Sequence, residues 1–186
     1  MNRSLRRLVL AALFLAIALL LPLLTGQLHA LGNALCPMHL PVLLCGFICG
    51  PWYGLFCGIL GPILSGLITG MPGAPMLISM IPELAIYGLV TGLLMKLIRT
   101  GKTLPDIYLS MIPAMLLGRI AGGIAKALVL LSSAKTYSVA VWASAYFAET
   151  LPGTILQLVL LPMLVLALMK AKAIPARYPK AKEASR

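Results

Sequence analysis

The sequence predicts an all-α integral membrane protein with six transmembrane helices and both termini in the cytoplasm. Three observations carry that prediction. Of 186 residues, 61% are hydrophobic and only 10% are charged, where a soluble domain of this size carries roughly 25%. The apolar runs are continuous and rich in Leu, without the alternation of an outer-membrane barrel. Twelve of the fifteen Lys and Arg fall in three clusters: Arg3 to Arg7, Lys96 to Lys102, and Lys170 to Arg186. An even helix count puts all three on one side, which the positive-inside rule makes cytoplasmic. The cell membrane is the expected location. The +11 net charge then reads as topology and attraction to anionic lipid, not as a nucleic-acid footprint, which needs a soluble basic face.

About 20 apolar residues cross the hydrocarbon, which places spans near 8–24, 38–50, 53–70, 76–98, 106–131 and 145–169. The first follows "MNRSLRR" and is too long, at 17 apolar residues, for a signal-peptide core; no clean A-x-A site follows it. "NALC" at 33–36 has Leu35 where a lipoprotein cleavage box wants a small residue. Residues 25–37, with Asn33 among them, form the longest outer stretch, either a lid over the outer mouth or an interfacial loop. The second span is short and is expected to begin earlier, near Leu35, as a tilted or broken helix. Residues 1–173 form one membrane domain. Residues 174–186 are basic, and the two prolines after 170 add to the expectation of a disordered tail.

The second and third spans raise a question. "CGFICGPWYGLFCGILGPILSGLITG" at 45–70 sets glycines at 46, 50, 54, 58, 66 and 70, although glycine weakens a helix by up to about 1 kcal/mol. Residues four apart share a helix face. In lipid, where helices gain little hydrophobic force from meeting, bare faces let backbones approach. Pro51 divides the strip into Gly46/Gly50 and Gly54/Gly58, and Gly66/Gly70 is expected to continue it. Gly88/Gly92 and Gly118/Gly122 repeat it in the fourth and fifth spans. Cys36, Cys45, Cys49 and Cys57 fit small apolar packing residues better than a metal pair.

A few ionisable groups remain inside the spans. Each costs about 2.5–3.5 kcal/mol at a bilayer centre, so such residues tend to be functional. Glu83 lies seven residues into the fourth span. Arg119 and Lys126 lie one heptad apart on a face of the fifth, and Glu149 opens the sixth, with Gln157 on the same side. Tyr87, Trp142, Tyr146 and His39 stand where they can join from neighbouring helices. Two uses fit: a polar pocket open to the outside, or two structural ion pairs of Glu83 and Glu149 with Arg119 and Lys126, and the two are compatible. Lys126 can also snorkel to the interface. His29 and His39 are isolated and read as interfacial, not as metal ligands.

Enzyme chemistry finds no support. "RTGKTLP" at 99–105 lacks the first glycine of a phosphate loop, and neither GxSxG nor HExxH occurs. With no ATPase motif, the chain is not expected to energise transport by itself.

In these residues the chain resembles the substrate-binding S components of energy-coupling factor (ECF) vitamin transporters. "AALFLAIA" gives Ala12-xxx-Ala16, similar to the family's docking motif. "CPMHLPVLLCGFICGPWYGLFCGILGPILSGLITGMP" at 36–72 resembles a block of one vitamin-uptake branch. "PELAIYGLVTGLL" at 82–94 and "ETLPGTILQLVLLP" at 149–162 are similar to its fourth and sixth helices. The resemblance implies a subunit that captures a water-soluble vitamin from outside, without a cofactor of its own. Glu83, Tyr87, Arg119, Lys126, Trp142, Tyr146, Glu149, Gln157, His39 and Asn33 are the candidate ligand-binding residues. It implies docking through Ala12 and Ala16 on a membrane coupling subunit, toppling in the bilayer, and two partner ATPases that use ATP. Residue 2 is Asn, which departs from the Met-His start of the metal-specific members. The branch leans toward pantothenate, whose carboxylate would meet Arg119 or Lys126; pyridoxine, folate, cobalamin and queuosine precursors stay open. Two other classes fit the same residues, a scaffold or regulatory subunit without ligand and a stand-alone permease.

Overall fold

A computed structural model describes residues 3–25, 36–70, 72–132, 138, 142, 144, 148, 150–171, 174 and 178. The described residues form six helices: α1 (Arg3–Thr25), α2 (His39–Cys49), α3 (Pro51–Thr69), α4 (Ala74–Leu97), α5 (Thr103–Ser132) and α6 (Leu151–Lys170). All but α2 are long and apolar enough to cross a membrane. The protein is thus an all-helical, multi-pass membrane protein with five membrane-capable helices among the described residues.

The short α2 corrects one expectation. Cys36 takes φ +45°, a left-handed conformation unfavourable for a side chain with a Cβ, and α2 starts only at His39. Eleven residues rise about 16 Å, roughly half of the hydrocarbon thickness. The sixth helix is described from Leu151, while the expected start at 145 lies outside the described residues.

Helix α4 is the hub, packed against α5, α3 and α2. Glycines make that possible. A Cβ at Gly54 would run into the carbonyl of Gly88, and one at Gly88 into the carbonyl of Gly54. Gly58 lies against the Leu84 backbone, Gly92 against Pro51, and Gly46 against Gly88 and Thr91. The α2–α3 pair therefore lies on α4 with backbone touching backbone.

Three glycines do other work. Gly50, at φ +109°, makes the turn between α2 and α3. Gly70, at φ +70°, caps α3 with its N–H on the Gly66 carbonyl and has nothing within 4 Å of a built Cβ. Gly66 meets only the Leu77 side chain. The backbone-packing strip thus stops at Gly58.

Helix α1 lies against α2 and α3 with Phe14 and Ala18 inward, while Ala12, Ala16 and its many leucines are exposed. Exposed apolar side chains continue around α3, α5 and α6, including Phe56, Ile112, Leu116 and Val159; they form the lipid-facing belt. At the end of α4, Asp106 is fully buried and accepts from Thr100 N (2.9 Å), Thr100 Oγ1 (2.7 Å) and Tyr178 Oη (2.7 Å). The Gly101 N–H donates to the same tyrosine oxygen at 3.1 Å. Tyr178, beyond α6, is thereby tied to the α4–α5 loop and the start of α5. Ile174 is buried, and its N–H is directed to the Leu168 carbonyl near the end of α6.

Candidate functional site

A buried polar side chain in an apolar bundle must find partners nearby. In this chain the partners close into a ring that passes through α2, α4, α5 and α6. Glu83 and Tyr87, one turn apart on α4, share a face. The Tyr87 hydroxyl donates to Glu83 Oε1 at 3.3 Å and accepts from Arg119 Nε at 3.2 Å. Arg119 Nη2 reaches Thr154 Oγ1 on α6 at 2.5 Å. Gln157, one turn further along α6, donates through Nε2 to the Cys36 carbonyl at 3.5 Å. That carbonyl also accepts the His39 N–H, at 3.1 Å. His39 closes the circuit, with Nε2 at 3.4 Å from Glu83 Oε1 and its ring edge-on to Tyr87 at 5.2 Å.

Local structure explains this convergence. The left-handed turn at Cys36 starts α2 at the depth of Glu83, so His39 projects from a helix end instead of a helix flank. On α5, glycine makes the space. A Cβ at Gly118 would strike the Tyr87 ring, and one at Gly122 would press on the Glu83 side chain at 3.0 Å. The Gly118/Gly122 pair is thus a slot for site residues. Gly123 leaves room for Trp142, whose Nε1 donates to the Arg119 carbonyl at 3.3 Å.

His39, Glu83, Arg119 and Gln157 are each buried to nine-tenths or more, and Tyr87 completely. Two atoms in the ring lack a hydrogen-bond partner among the described residues: His39 Nδ1 and Gln157 Oε1. Leaving a buried polar atom unpaired costs about 1–3 kcal/mol.

Of the expected residues, the structure brings together His39, Glu83, Tyr87, Arg119 and Gln157, with Trp142 over Arg119. Lys126 is half-buried on α5 beyond them. Asn33, Tyr146 and Glu149 lie outside the described residues, and with Glu149 one of the two expected ion pairs. Glu83 is not paired directly with Arg119 as the other expectation had it. Its carboxylate instead lies 3.4 Å from His39 Nε2, and the Tyr87 hydroxyl stands between it and the guanidinium.

Sequence reasoning missed Thr154, and also the Cys36 carbonyl. A cleft of about 110 Å³ opens beside the ring between α5 and α6, lined by Ile112, Met115, Leu116, Arg119, Thr154 and Leu158. Ligand sites usually span about 300–1,000 Å³, so this cleft is a side opening and too small to seat a vitamin. No group of three or more metal-ligating side chains occurs among the described residues.

A family model described as "ECF transporter, substrate-specific component" matches residues 6–165. No curated protein and no solved structure matches the chain.

Proposed function

The chain belongs to the family of ECF transporter substrate-specific components, a family of transporters and not of enzymes, and from that premise we propose that its polar ring captures a water-soluble vitamin. Membership implies a small-molecule substrate and membrane and ATPase partner components in general. The finer reading places the chain in the cell membrane with both termini inside and the ring facing outward. Pantothenate is the favoured substrate, its carboxylate set against Arg119 and its body against Tyr87 and Trp142. The loaded chain then docks through Ala12 and Ala16 on a coupling subunit and topples to release ligand inward, with ATP hydrolysed by partner subunits.

The observation that carries the capture role is the ring itself. Six side chains from four helices, His39, Glu83, Tyr87, Arg119, Thr154 and Gln157, meet inside the bundle, at a cost of several kcal/mol, and two of their atoms are left unsatisfied. A structural ion-pair network would gain from closing completely; a binding site keeps valences for its ligand. The test is ligand retention by the lone chain purified in detergent, read by mass spectrometry of extracted small molecules. Uptake by cells is then measured with and without a co-expressed coupling module. Retention of a vitamin, with uptake only when the module is present, is the expected result. Uptake by the chain alone would favour a permease, and no retained compound with no thermal shift for any vitamin would favour a scaffold.

A further inference from the structure

The ring is buried and the cleft beside it is too small to seat a vitamin, so ligand entry requires an element to move. The two halves of α6 are held differently. From Leu161 onward the helix is fixed by apolar packing: Leu161 and Val165 are fully buried, and Leu164, Leu168 and Met169 pack against the same core. Before Leu161 its buried positions are Gly153 and Gln157, and neither brings an apolar side chain to the core. What holds that half among the described residues is polar, Arg119 Nη2 on Thr154 Oγ1 at 2.5 Å and Gln157 Nε2 on the Cys36 carbonyl at 3.5 Å. The boundary is Pro162. A proline has no N–H, so the carbonyl four residues back, that of Leu158, loses its helical partner. In a membrane such a freed carbonyl needs a substitute, and the Tyr108 hydroxyl on α5 donates to it at 3.2 Å. Tyr108 thus pins α6 where its own ladder is interrupted. The cleft starts at this pin, with Leu158 as one wall and Thr154, Leu116 and Met115 further along, so α5 and α6 are already parted beside the weakly packed half.

We infer that the segment 151–158 is a gate that swings on the Pro162 break, with Tyr108 as its pin, and parts from α5 along the cleft to admit ligand to the ring. This rests on the proposed capture role and adds to it a route of entry. Opening breaks the Arg119–Thr154 and Gln157–Cys36 bonds but withdraws no buried apolar side chain of α6. Moving the half beyond Pro162 would instead pull Leu161 and Val165 out of close packing, which is what holds helices together in lipid. Hinges of this kind are a few residues at an interruption, with rigid pieces on either side. Both broken bonds belong to the ring, so closing the gate and completing the site are one event: Thr154 and Gln157 leave with the gate and return with it.

Two spin-label pairs across the α5–α6 seam, attached by a non-cysteine chemistry to the full chain in nanodiscs, read the gate without any ligand. Ile120 with Ile155 reports on the gate, and Leu109 with Met163 on the half beyond Pro162; all four side chains are exposed. Thr154→Val removes one fastening and should lengthen and broaden the Ile120–Ile155 distance while the Leu109–Met163 distance stays unchanged. A shift of both pairs would mean that α6 moves as one rod, and a shift of neither that the half is fixed; each overturns the inference. In a second arm, Leu116→Cys and Leu158→Cys are joined by a short bifunctional methanethiosulfonate. Binding of pantothenate, or of any compound that the chain retains through purification, should then slow about tenfold or more and recover on reduction. The wild-type chain treated identically should be unaffected. This arm compares one chain before and after reduction, so it holds even if Thr154→Val does not fold. Unslowed binding by the stapled chain overturns the gate and leaves the capture role standing. A chain that binds no small molecule overturns the capture role, and the entry route with it.

Discussion

The hydroxyl of Tyr87 lies between a carboxylate and a guanidinium that would otherwise face each other across an apolar interior. It donates to one and accepts from the other, so it carries their attraction without letting them collapse together. Tyr87→Phe keeps the ring that fills the Gly118 slot and removes only the bridge. Two hydrogen bonds to charged groups are lost, each worth about 1.5–3 kcal/mol. Ligand affinity is expected to fall at least tenfold, with helix content by circular dichroism unchanged. Unaltered affinity would mean that the ring is structural.

Most of this ring was legible because burying a charge or an amide in lipid is costly enough to stand out in an apolar run. Glu83, Arg119 and Gln157 are conspicuous for that reason. Thr154 was not, because a helical threonine can satisfy itself: its Oγ1 donates to the Thr150 carbonyl at 2.9 Å, as Thr91 does to Tyr87 O at 2.5 Å. Such back-bonding makes threonine inexpensive in an apolar helix and hides it among packing residues. The Cys36 carbonyl was hidden more deeply, since it depends on a backbone conformation that no residue type announces.

At the scale of the helix, a four-residue glycine spacing correctly marks a bare face but does not say what occupies it. Gly54 and Gly88 exchange backbone contacts, Gly118 and Gly122 make room for Tyr87 and Glu83, and Gly50 and Gly70 answer to positive φ. The same i, i+4 period serves packing, slot and cap, so the tertiary partner alone decides. The distinction is measurable. Gly88→Ala forces a methyl group into the Gly54 carbonyl, which backbone cannot yield cheaply, and overpacking of this kind costs about 1–3 kcal/mol or more. Gly73→Ala, at φ −58° with nothing within 4 Å, meets no clash and is expected to cost less than about 1 kcal/mol, the preference for glycine over alanine at an N-cap. Thermal unfolding in detergent should therefore separate the two variants by several degrees. Equal midpoints would show that α3 and α4 are not held by backbone contact.

On the scale of the whole molecule, the packing is uneven, and the unevenness suits a subunit that moves against a partner. Helices α2 to α5 are locked through glycine contacts around α4, while α1 turns only Phe14 and Ala18 firmly inward and leaves Ala12 and Ala16 outside. An exposed Ala-xxx-Ala face does nothing for this chain's own core, but it is a surface on which another helix backbone can close. Ala12→Leu and Ala16→Leu place apolar side chains where lipid tolerates them, so the fold and the distant ring should not register the change. Ligand affinity of the lone chain should match wild type, while uptake through the coupling module falls to background and the chain no longer co-purifies with the coupling subunit. A matched loss of affinity would mean that α1 shapes the site, and full uptake would place the docking surface on another helix.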